Sequence, residues 1–154
     1  MQDFFKRYIP EFVYGAVDGT VTTFAVVAAS AGAGISSPVI LILGIANLIA
    51  DGFSMGSSAY LAASAEHEES VRDSQKRSSP KIIGAVTFLA FVVVGSVPVL
   101  PYLIDVIANL KAPNAVLFYV SSALTAATFL AIGFIKGKVS KQSPWQSAGI
   151  TLLL

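Results

Sequence analysis

The chain has no cysteine, a single histidine and only 12% charged residues among its 154. The lack of cysteine excludes disulfides, thiolate metal sites and thiol nucleophiles. With His67 alone, any histidine metal site would need the carboxylates beside it. A soluble domain of this size carries roughly 25% charged residues. That deficit, set against 55% hydrophobic residues, excludes an ordinary soluble domain and points to an integral membrane protein. The net charge of +1 gives no reason to expect a nucleic-acid partner. A secretory signal peptide at the N-terminus fits poorly, because Asp18 interrupts the apolar stretch and that stretch is too long.

What is present is a series of apolar runs. They predict an all-α polytopic membrane helix bundle, one transmembrane domain over residues 1–154. The spans are expected at about 12–33, 39–65, 82–104 and 115–135, with a partial fifth from about 148. Residues 1–10 read as a short amphipathic lead at the interface, with Pro10 suited to a helix start. Pro98 and Pro101 predict a kink or early exit near the end of the third span. Trp145 is placed like an interfacial anchor. The final apolar run rises only about 10 Å against a hydrocarbon core of roughly 30 Å, which reads as a fifth helix cut short.

The basic residues set an orientation. Lys6, Arg7, Arg72, Lys76, Arg77, Lys81, Lys136, Lys138 and Lys141 all fall on one side of this arrangement, and only Lys111 on the other. The positive-inside rule makes the first side cytoplasmic, together with the N-terminus and the loop between spans two and three.

No basic residue stands within any span to neutralise Asp18 or Asp51. A carboxylate inside a membrane costs about 2.5 kcal/mol or more, so it normally faces a bundle interior or a wet cavity. Asn47, Asp51 and Met55 recur every four residues and share one helical face. Thr22 lies one turn beyond Asp18 and Tyr14 one turn before it. Two buried acids without a counter-ion must share protons or hold a cation. A thioether is a soft ligand, suited to transition metals rather than Ca²⁺ or Mg²⁺. Asp18, Asp51, Asn47, Met55 and Thr22 are therefore candidates to line a path for protons or a cation. Gly15-x-x-x-Gly19 and Gly52-x-x-x-Gly56 bring helices close, either within the chain or between subunits. The pairs Asp18-Gly19 and Asp51-Gly52 form a faint internal echo. Glu66, His67, Glu68 and Glu69 follow the second span; they read as a solvated helix end, with a weaker reading as a cation-gathering cluster at the cytoplasmic mouth.

At these residues the chain resembles the vacuolar iron transporter family, and more closely its compact bacterial members. The first-helix signature is Tyr14-Gly15-Ala16-Val17-Asp18-Gly19-Thr20-Val21-Thr22, and the second is Gly44-Ile45-Ala46-Asn47-Leu48-Ile49-Ala50-Asp51-Gly52-Phe53-Ser54-Met55. Pro144-Trp145 resembles the family's lead into helix five. The resemblance implies five transmembrane helices, a homodimer, and export of cytosolic Fe²⁺ or Mn²⁺ in exchange for protons along the dimer interface. It implies no permanently bound cofactor and no enzyme activity. It also implies that Asp18 and Met55 line the path as its metal ligands, in a multi-pass protein of a prokaryotic cell membrane. Two departures stand out. Asn47 occupies the position of a glutamate in well-studied eukaryotic members, leaving Asp51 to supply a carboxylate. Residues 66–80 are too few for the glutamate-rich metal-binding domain those members place there. Two other readings are a non-transporting scaffold or truncated pseudo-transporter, and an intramembrane aspartyl protease. The flanks of Asp18 and Asp51 do not resemble the motifs of the protease.

Overall fold

The computed structural model describes residues 2–69, 78–140 and 143–153. Its elements are α1 (Gln2–Gly32), α2 (Ser37–Glu69), α3 (Pro80–Gly95), a 3₁₀ turn (Val97–Val99), α4 (Leu100–Ala108), α5 (Asn114–Val139) and α6 (Pro144–Leu153). No strand occurs among the described residues. Among the described residues, four stretches are long and apolar enough to cross a membrane: Arg7–Gly32, Ser37–Glu66, Pro80–Ala108 and Asn114–Val139. The chain is thus an all-α bundle of four membrane-spanning segments followed by the short α6.

α1 runs unbroken through Pro10. Proline there removes one helical N–H, and the carbonyl four residues back lies in the first turns, where water can satisfy it. The third span is bent: α3 stops at Gly95, and the 3₁₀ turn leads into α4. A 3₁₀ bond to the Pro98 carbonyl would come from residue 101, which is proline and has no N–H. Ser121 Oγ on α5 donates to that carbonyl instead, at 2.7 Å. α4 ends on Asn109 in the left-handed conformation (φ 49°), and the Asp105 carboxylate accepts from the Ala112 N–H at 2.9 Å. These bonds seal the loop carrying Lys111.

α3 is the hub. It packs along both α1 and α2 more extensively than those two pack on each other. The glycines make this possible. A Cβ on Gly19 would lie 2.5 Å from the Phe91 carbonyl oxygen, and one on Gly56 2.8 Å from Phe88 Cβ. Both glycine stripes are therefore occupied by α3 of the same chain, not left free for a subunit interface. At the opposite end, Val27, Ile40, Val99, Tyr102 and Leu117 form a buried cluster. There Asn114 Nδ2 donates to the Ile35 carbonyl at 3.0 Å, tying the α1–α2 turn to the start of α5. α6 lies against α5, where a Cβ on Gly133 would meet Ala148 Cα at 2.6 Å.

Gly19→Leu is expected to prevent stable folding, whereas Gly32→Ala, where nothing lies within 4 Å of an added Cβ, should be tolerated. Thermal unfolding in detergent, with size-exclusion behaviour as a second measure, separates the two outcomes.

Candidate functional site: an acidic seam between α1 and α2

α1 and α2 run antiparallel from a short turn, so residues equally far from it lie level. Asp18 stands fourteen residues before Gly32, and Asp51 fourteen after Ser37. The same count pairs Thr22 with Asn47, and Tyr14 with Met55. Side-chain contacts follow this register. Asn47 Nδ2 donates to Thr22 Oγ1 and to Thr23 Oγ1, each at 3.4 Å. Thr22 Oγ1 in turn donates to the Asp18 carbonyl at 2.9 Å. The Asp51 carboxylate lies close enough to Asp18 to act on it electrostatically. Met55 continues this face of α2 one turn, about 6 Å, toward the basic end.

Asp18, Asp51, Asn47 and Met55 are all half-buried. No lysine or arginine occurs between residues 8 and 71. Two carboxylates at one level without a basic partner hold their charge only with a proton or a cation between them. On one side the seam is walled by α3. Phe91 touches Gly19 with its backbone and Gly52 with its ring edge, and it is fully buried. On the other side the seam is open: Tyr14, Val21 and Ala25 of α1 are exposed, as are Leu43, Ala50 and Ser54 of α2.

Of the candidate residues, Thr22 and Asn47 share a hydrogen bond, and Asp18 and Asp51 stand level by the register of α1 and α2. Met55 shares the face by helical spacing. Glu66 is exposed at the basic end of α2. The side chains of His67, Glu68 and Glu69 lie outside the described residues, so the expected cation-gathering cluster is not described. Among the described residues, no three His, Cys, Asp or Glu side chains converge. A cation here would therefore draw on the Met55 thioether, the Asn47 amide oxygen or groups from a second chain. Two residues escaped the sequence reading. Thr23 is fully buried and shares the Asn47 amide. Glu11 has a buried Oε2 with no hydrogen-bond partner among the described residues. Seven residues from Asp18, Glu11 lies on the same face of α1, and that spacing is the signal that marks it.

A family model described as the VIT family matches residues 9–78 and 67–154. The chain belongs to this family, the vacuolar iron transporter family. Its two matches meet in the polar stretch 67–78. A vacuolar iron transporter of Toxoplasma gondii is 44% identical over 61 residues, 40% of this chain and 20% of the relative. Vacuolar iron transporter 1 of Arabidopsis thaliana is 36% identical over 75 residues, 49% of this chain and 30% of the relative. This chain thus spans less than a third of either relative. Vacuolar iron transporter 2 of Oryza sativa is 25% identical across 95% of this chain and 81% of the relative. That alignment runs over 205 positions, more than this chain's 154 residues, so the rice protein has residues there with no counterpart here.

The register of the seam has a direct test, made clean by the absence of native cysteine. Thr22→Cys with Asn47→Cys is expected to cross-link rapidly with a short bis-thiol reagent. Thr22→Cys with Ile49→Cys should not, because Ile49 is 61% exposed on another face of α2. Gel mobility after proteolysis between the two sites reports the result.

Proposed function

We propose that this VIT-family protein is a divalent transition-metal transporter, moving Fe²⁺ or Mn²⁺ out of the cytoplasm by proton antiport. The observation that carries the reading is the level pairing of Asp18 and Asp51, with no lysine or arginine between residues 8 and 71 and one side of the seam open. The names of the relatives, all vacuolar iron transporters, support metal as cargo.

In this reading Glu11 and Tyr14 stand at the cytoplasmic mouth. Asp18 and Met55 hold the metal, Asp51 supplies the carboxylate that Asn47 lacks, and Asn47 with Thr22 lines the way out. Protons arriving from the far side neutralise the two acids and release the cation. One chain offers few donors, so a second copy packed on the open strips completes the cage and encloses the path on a two-fold axis. The positive-inside rule makes the basic end, with the N-terminus and residues 66–80, cytoplasmic. Residues 66–80 leave little chain for a cytosolic metal-capturing domain. The relatives named here are eukaryotic and named for the vacuole, so they lend no support to a prokaryotic cell membrane. Membership of a transporter family and the unmatched protease motifs both favour a protein that is not an enzyme.

Proteoliposomes with an imposed pH gradient test this. The parent chain is expected to accumulate Fe²⁺ and Mn²⁺. Asp18→Ala should slow uptake at least about tenfold, the equivalent of ~1.4 kcal/mol of lost cation stabilisation. Asp51→Asn should weaken the dependence of uptake on the gradient more than it lowers metal affinity. Equal rates for Asp18→Ala and the parent would remove the transporter reading and leave a membrane scaffold.

A further inference from the structure

A second site lies on the other side of α1. Ile9, Val13, Tyr14 and Val17 of α1, with Lys136 of α5 and Ser140 just after that helix, line a cleft of about 390 Å³. Ile9 and Val13 point roughly opposite to Asp18 around α1, and Tyr14, at the basic end of the acidic seam, is the residue the cleft shares with it. Its composition is graded. Lys136 and Ser140 stand at the basic end, and Ile9, Val13 and Val17 make an apolar wall about 10 Å long running inward. No acidic side chain lines it, and Lys136 is half-buried there with no salt bridge among the described residues.

The depth of the cleft is marked independently. Trp145 is 79% exposed and packs edge-on to Phe134 at 5.6 Å. A tryptophan so placed at the end of a membrane helix sits at headgroup level. Lys136 is half a turn from Phe134, so the two Cα atoms lie within about 3 Å of the same depth. A lysine at a helix end usually runs its stem along apolar surface and its charge to the interface. Here the stem borders a cleft large enough to admit part of an acyl chain.

We propose that this cleft binds an anionic phospholipid of the leaflet at the basic end. Lys136 and the Ser140 hydroxyl take the headgroup phosphate, and the first methylenes of one acyl chain lie along Ile9, Val13 and Val17. Basic pockets between transmembrane helices bind anionic headgroups by this chemistry. Charge complementarity and headgroup depth select a lipid over a soluble anion. The proposal does not depend on metal transport.

The test uses the purified full chain in neutral detergent, with native mass spectrometry reading retained lipid. Phosphatidylglycerol should be retained over phosphatidylcholine of the same chains. Lys136→Gln should lower phosphatidylglycerol retention about fivefold, the effect of one basic residue near an anionic surface. Lys138→Gln, exposed on the same last turn, should leave retention unchanged. Val13→Trp, which fills the cleft without altering charge, should lower retention as well. The proposal is overturned by equal retention of the two lipids, by Lys136→Gln behaving as the parent, or by millimolar inorganic phosphate displacing the lipid. Circular dichroism of each variant confirms that loss of lipid is not loss of fold.

Discussion

Phe91 sets the spacing on which the rest of the bundle depends. It is buried at the point where α3 meets both neighbours, with Gly19 against its backbone and Gly52 against its ring. A lipid environment supplies no hydrophobic force between helices, so their association relies on close packing. Glycine permits that closeness here. Each glycine is preceded by an aspartate, and a step of one residue turns the side chain about 100° around the helix. The contact that seats α1 and α2 on α3 therefore also turns Asp18 and Asp51 out of the packing and into the seam. The repeated Asp-Gly pair, faint as a sequence echo, has a single physical reason at both positions.

The seam is an electrostatic problem that the chain leaves unsolved by itself. Each carboxylate costs free energy in the membrane, each raises the cost of the other, and no basic residue offsets them. The polar groups that accompany them are neutral: a carboxamide, two hydroxyls and a thioether. Such a set is well suited to a mobile positive charge and poorly suited to permanent neutralisation. The hydrogen bonds of Asn47 are long, 3.4 Å to each threonine, so the crossing above the acids is a weak closure. On the other side of α1 the logic reverses, with a lysine and no acid.

Much of this was legible in the residues. Hydropathy and the scarcity of charge are enough for an all-α membrane bundle, and Pro98 with Pro101 locates the break in the third span. The four-residue spacing of Asn47, Asp51 and Met55 marks the polar face. What the pattern left open was partnership. Gly15, Gly19, Gly52 and Gly56 fit an intrachain contact or a subunit contact equally well, because spacing records a close approach but not what approaches. Only the fold shows α3 there. Glu11 and Thr23 were passed over because a glutamate near a helix start and a threonine in an apolar run are ordinary, and burial makes them noteworthy. The level pairing of the two acids was available by counting outward from residues 33–36.

That turn holds more control over the seam than its distance suggests. It joins α1 to α2 across four residues, with Gly34 in the left-handed conformation and Asn114 bonded to the Ile35 carbonyl. One residue added or lost there, if taken up by α2 and not by the loop, would slide the seam's face of α2 by about 1.5 Å and rotate it by about 100°. Asp51 would then face away from Asp18, although every side chain of the seam was unchanged. The chemistry at the middle of the bilayer is gauged from its edge, by the length of a loop that touches neither acid.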